Sequence, residues 1–106
     1  MDQAQILATY SAAWSTTQQM LEAAQTEQWD HMIELEQGRD ALMAPLMQAP
    51  VPIEPQNSAE ISVLIRNILV VDQKIQGLTR VWMDEISGVL NSVQVEKKLL
   101  KAYEAF

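Results

Sequence analysis

The only imidazole in this chain is His31, and Glu27 and Glu34 lie about one helical turn to either side of it. A histidine bracketed by carboxylates can hold a metal or move a proton. A di-metal carboxylate site, however, needs two such histidine motifs on separate helices, so His31 reads as a surface side chain. Carboxylates also pair at helical spacing, Asp30 with Glu34 and Glu36 with Asp40. General acid–base work requires carboxyls in differing, partly buried environments, whereas these fall on one acidic, solvated face. The absence of cysteine removes a thiol nucleophile, a zinc–thiolate centre and any disulfide framework, and it suits a reducing compartment. Gly38, Gly77 and Gly88 are too scattered to build a phosphate-cradling loop. Six methionines, among them Met20, Met32, Met43, Met47 and Met83, pack adaptably and suit either a core or an accommodating groove. We therefore expect no catalytic centre, no metal and no cofactor. The chemistry this chain offers is that of surfaces.

The elements that present those surfaces are helical. Leu7, Tyr10, Trp14, Thr17, Leu21 and Ala24 step by threes and fours, and Ile6, Ala13 and Met20 widen the same face to that of a packed bundle helix. Only Thr17 interrupts that seam. After the polar run Gln25-Thr26-Glu27-Gln28, apolar residues restart at Trp29, Met32, Ile33, Leu35, Leu42, Met43, Leu46 and Met47. The spacing predicts helix 1 over about 3–26 and helix 2 over about 29–48, folded on each other as a hairpin with Trp29 against its core.

Three prolines in Pro50-Val51-Pro52-Ile53-Glu54-Pro55 remove backbone donors and push the residues before them toward extended conformations, which predicts a stiff linker over 49–56. Asn57 with Glu60 three residues on reads as a capping box for a long helix 3 over about 58–91. Ile61, Leu64, Ile68, Val71, Ile75, Leu78 and Trp82 form its core stripe, and Ile86, Val89 and Val93 continue it after a change of phase. Val63, Leu69, Val70 and Val81 are surplus to that stripe, so the helix is apolar on two faces and needs two neighbours. One is the hairpin; the other is the C-terminal segment, a second copy of the chain, or a client helix. Gly88, Asn91 and Ser92 weaken the helix before a short amphipathic helix 4 over about 94–105, whose apolar side is Val95, Leu99, Tyr103 and, at its end, Phe106. A helix that short is marginal alone, which is the character of a lid.

Charge narrows the partners. Residues 1–60 carry nine acids against Arg39 alone, a net of −8, while residues 61–106 carry six bases against five acids, a net of +1. An acidic hairpin disfavours phosphate, and Lys97, Lys98 and Lys101 are too few for a basic patch, so direct nucleic-acid binding is not expected. No apolar run approaches the roughly 18 residues of a membrane span, and Met1-Asp2-Gln3-Ala4-Gln5 has no basic region of a signal peptide, so membrane insertion is not expected either. At 106 residues and 48% hydrophobic content, 1–106 reads as one soluble domain.

Leu21-Glu22, the loop ending in Trp29-Asp30, and then Glu36, Arg39 and Leu42 resemble the hairpin of the FliT family of flagellar export chaperones. The run from Val71 to Phe106, with Asp84-Glu85-Ile86-Ser87 and the terminal Lys98, Ala102 and Tyr103, is similar to that family's long third and short fourth helices. Pro45 departs from the pattern, falling within what the family would make the end of helix 2. The resemblance implies a cytoplasmic, non-enzymatic type III export chaperone whose client is the flagellar filament-capping protein. It also implies contacts with the export ATPase complex and, in some members, with the flagellar master transcription regulator, and a fourth helix that restrains client binding. The expectation is thus an all-α, four-helix antiparallel arrangement: a hairpin, a long third helix and a short C-terminal one. Val63, Leu69, Val70 and Val81 are its candidate partner-binding residues, and Val95, Leu99, Tyr103 and Phe106 the competing lid. A structural helical homo-oligomer, in the simplest case a homodimer of coiled-coil type, and a transcription-linked regulator are the alternatives.

Overall fold

The structure, a computed structural model, describes the backbone of residues 1–104, with side chains described through residue 89 and at Lys97 and Lys101. Those residues form three helices, α1 (Gln3–Gln25), α2 (Trp29–Gln48) and α3 (Pro55–Glu104), and no strand. The chain divides into two units, Met1–Gln76 and Gly77–Phe106.

α1 opens on a capping box formed by Asp2 and Gln5. The Asp2 carboxylate accepts from the Gln5 N–H at 2.7 Å, and the Gln5 side-chain oxygen accepts from the Asp2 N–H at 2.9 Å, so two otherwise orphaned donors are satisfied reciprocally. Its far end closes by a Schellman motif. The Gln28 N–H donates to the Ala23 carbonyl at 2.8 Å and the Glu27 N–H to the Ala24 carbonyl at 3.3 Å. Glu27 takes the left-handed position with φ 59°, a conformation that glycine adopts without steric cost and glutamate does not.

α2 runs antiparallel to α1, since Leu46 near its end joins Ile6 near the start of α1, while Arg39 meets Thr17 further along. Pro45 stands in the last turn of α2, where it removes the one hydrogen bond that its N–H would make to the Ala41 carbonyl but disrupts no long helix beyond it, and its own carbonyl still accepts from the Ala49 N–H at 3.1 Å. Within the first unit α3 runs parallel to α1. Asn57 bonds Gln3 at one end, and at the other Thr17 and Asp72 share Arg39.

The centre of the first unit is Ile6, Leu46 and Ile61, with Leu7, Tyr10, Met43, Val51 and Ile65 packed around them. The buried side of α1 is Ile6, Thr9, Ala13, Thr17, Met20, Ala23 and Ala24. This differs from the expected seam: Leu7, Tyr10, Trp14 and Leu21 are only half-buried. Small side chains at Ala13, Thr17 and Ala24 let the helices approach closely, so the helix turns this narrower face inward and its large residues flank it. The Thr9 and Thr17 hydroxyls, buried within that face, donate back to the carbonyls of Gln5 and Ala13.

Three other expectations are corrected. α3 begins at Pro55, not near Ser58: the Glu54 carbonyl accepts from the N–H groups of Asn57 and Ser58, and proline suits the first helical position because its missing N–H has no partner there. Asn57 therefore caps nothing. Trp29, expected in the hairpin core, is half-buried. The separate fourth helix is not seen, because α3 stays helical through Gly88, Asn91 and Ser92. Each of those residues costs about 1 kcal/mol or less in a helix interior, and without a proline or a cap nothing there terminates one.

Candidate functional site

A hydrogen-bonded clasp ties the Pro-rich linker to the start of α1. The Gln3 side-chain amide donates to the Pro52 carbonyl at 2.9 Å, and its oxygen accepts from the Glu54 N–H at 3.0 Å. Asn57 Nδ2 adds a bond to the Gln3 carbonyl at 3.2 Å. One glutamine thus satisfies linker groups that the prolines leave outside any helix, and it sets where α3 begins against α1.

Deeper in the first unit, Arg39 ties all three helices together. One guanidinium nitrogen, Nη1, donates to Thr17 Oγ1 on α1 at 2.8 Å and to Asp72 Oδ1 on α3 at 2.7 Å. Arg39 and Asp72 retain 16% and 27% side-chain exposure, so the pair is shielded without being dry. The signals for it were in the sequence: Thr17 alone interrupts the apolar seam, and Arg39 is the single base among the first sixty residues. Neither alone names the partner, since Asp72 comes close only once α3 has folded along the hairpin. This constellation reads as structural, because its bonds join side chains of the three helices to one another.

The outward surface of α3 is where the described side chains depart most from a closed monomer. Val63, Leu69 and Val70 in the first unit are 47%, 57% and 54% exposed, and in the second unit Val81 is 57% exposed. Met83, Ile86 and Val89, the latter two expected in a continuing core stripe, are exposed as well. Val95, Leu99, Tyr103 and Phe106, the other candidate binding residues, lie outside the described side chains. The structure also shows a feature that periodicity did not reveal. An open cleft of about 530 Å³ lies between α1 and α3, lined by Leu7, Ser11, Ala59, Glu60, Val63 and Leu64.

The residues first considered for chemistry do not assemble into a centre. His31 Nδ1 lies 3.9 Å from Glu34 Oε2, with both side chains well exposed. Among the described residues no three His, Cys, Asp or Glu side chains are grouped to hold a metal ion. No described helix is long and apolar enough to cross a membrane.

Fold and surface together define the class: a small all-helical protein distinguished by apolar surface on one long helix. The chain matches the model of the family described as "Flagellar protein FliT" over residues 7–105, and it belongs to that family. It is 28% identical over 89 residues to the flagellar protein FliT of Escherichia coli O139:H28 (strain E24377A / ETEC), a match covering 82% of this chain and 74% of that protein. The FliT of the Crooks strain of Escherichia coli matches to the same extent. No solved structure gives a significant match. Membership places the chain among flagellar proteins and outside the enzymes.

Proposed function

We propose that this protein is a cytoplasmic type III export chaperone that holds the flagellar filament-capping protein by the helical C-terminal region of that client. The observation that carries the reading is the exposed apolar side of α3, Val63, Leu69, Val70 and Val81, on a chain that belongs to a flagellar family. An amphipathic helix laid along such a face removes it from water, at roughly 25 cal/mol per Å² of apolar area before the costs of association. In this reading residues 94–106, continuous with α3 through Glu104, work as a lid, with Val95, Leu99, Tyr103 and Phe106 competing for the surface the client needs. Gly88, Asn91 and Ser92 supply the weak helix-forming stretch at which such a lid would bend. Delivery to the export ATPase complex, and a regulatory contact with the flagellar master transcription regulator, belong to the same reading.

The test is calorimetry of the full chain, and of a version lacking residues 94–106, against the C-terminal helix of a filament-capping protein. A lid worth about 1.4 kcal/mol would make the deletion bind about tenfold tighter without any new contact. Weaker binding by the deletion would make the segment part of the site, and no binding by either form would remove the chaperone assignment. The exposure of Met83 and Val89 also favours a second reading, a homodimer through the second unit. Light scattering of the full chain distinguishes a dimer from a monomeric chaperone.

A further inference from the structure

We infer that the cleft between α1 and α3 is an anchor pocket for a partner helix, taking one of its apolar side chains while Glu60 pairs with a lysine or arginine about one turn away on that helix. This deepens the proposed helix-binding function and rests on it. Leu7 and Leu64 line the cleft half-buried, and Ser11, Ala59, Glu60 and Val63 line it exposed. No α2 residue lines it, so a helix seated there would be a further neighbour of α1 and α3 and would bring the number of packed helices to four. Val63 belongs both to the cleft and to the exposed apolar side of α3. Val70 stands seven residues on, two turns along the same side, which is the repeat of anchors a bound amphipathic helix presents. The cleft is open, and a small molecule would leave much of its surface in water there, whereas a helix covers cleft and flanking valines together.

Charge selects which helix. The first unit carries ten acids against Arg39, Arg66 and Lys74, a net of −7, and Arg39 is already engaged by Asp72. Among the described residues Glu60 makes no ion pair, and it stands directly at the cleft. An acidic helix would meet repulsion there and a basic one attraction, an effect that governs partner choice and association rate more than final affinity.

The experiment titrates the full-length protein with two synthetic amphipathic helices of identical apolar face, one flanked by lysines and the other by glutamates, at low and high salt. The lysine-flanked peptide should bind more tightly than the glutamate-flanked one, and the gap should narrow at high salt. Val63→Gln, at an exposed position and with its fold checked by circular dichroism, should weaken binding at least about tenfold, as the loss of a central anchor does. Glu60→Lys, which takes the first unit only from −7 to −5 but reverses the charge at the cleft itself, should narrow the preference between the peptides and flatten its salt dependence. Equal binding of both peptides, or binding unchanged in both variants, overturns the proposal, as does a parent protein that self-associates through this cleft and disperses on Val63→Gln. The same variants are then tested for retention of a filament-capping protein in co-expression. Retention by both at the parent level sinks the cleft while leaving the chaperone function standing, whereas a parent that retains none sinks the chaperone function itself.

Discussion

Arg39→Ala should destabilise the fold although it removes no buried apolar side chain, and its cost can be worked from the geometry. The change removes the hydrogen bonds to Thr17 and Asp72 and leaves the Asp72 carboxylate, 27% exposed, without its cation. A carboxylate orphaned in a fully buried site costs about 3–5 kcal/mol. Here partial exposure lets water return, while the Thr17 hydroxyl keeps its bond to the Ala13 carbonyl at 2.7 Å, so the loss should be about 2 kcal/mol. That lowers the melting temperature of a domain this small by roughly 10 °C. Removing the orphan should recover most of the loss: in Arg39→Met/Asp72→Leu no charge is left behind, and the double variant should approach the parent in stability. Urea denaturation followed by tryptophan fluorescence and by circular dichroism, with the double-mutant cycle completed, gives the coupling energy directly. A loss below about 0.5 kcal/mol for Arg39→Ala, or additive single and double variants, would show that the pair behaves as an exposed surface contact and that the three helices are held by apolar packing alone.

Glu27→Gly should stabilise the protein by about 1 kcal/mol, because residue 27 sits at φ 59° where glycine has no side-chain clash, and thermal melts measure the gain. A Cβ at Gly38 meets nothing within 4 Å, so Gly38→Ala should add about 0.5–1 kcal/mol of helix stability, readable as a higher urea midpoint at unchanged slope. Gln3→Ala cuts two bonds to the linker and should cost about 1 kcal/mol, with faster amide hydrogen exchange at Glu54 as the local signature. Trp29→Ala should cost about 1–2 kcal/mol, less than the 3–5 expected of a core aromatic, because the ring is half-buried; a larger loss in chemical denaturation would place it within the core.

The helical hairpin was legible in the sequence because its signals are local. Apolar residues at threes and fours, a polar break at Gln25–Gln28 and a proline cluster at 50–55 each act within a few residues of themselves, and α1, α2 and the start of α3 fall where those signals put them to within a few positions. The same locality misled where two rules competed. Asn57 with Glu60 has the form of a capping box, yet Pro55 opens the helix, since a fixed φ and an absent N–H suit the first turn. Gly88, Asn91 and Ser92 lower helix propensity, yet a penalty spread over three positions is not a stop, and α3 continues through them.

The sequence by itself determined the amount and period of apolar surface, the acidity of the first sixty residues, and a second apolar side on α3 at Val63, Leu69, Val70 and Val81. Periodicity says that such a side exists, but not which part of it a neighbour covers. Tertiary structure alone decided that Thr17 rather than Trp14 faces inward, that Arg39 meets Asp72 thirty-three residues on, and that Leu7 and Ser11 stand across a cleft from Glu60 and Val63. These are relations between helices, set by the rotation of each about its own axis and by its register against the others. A rotation of one residue is 100°, and a pattern read along a single helix does not contain it.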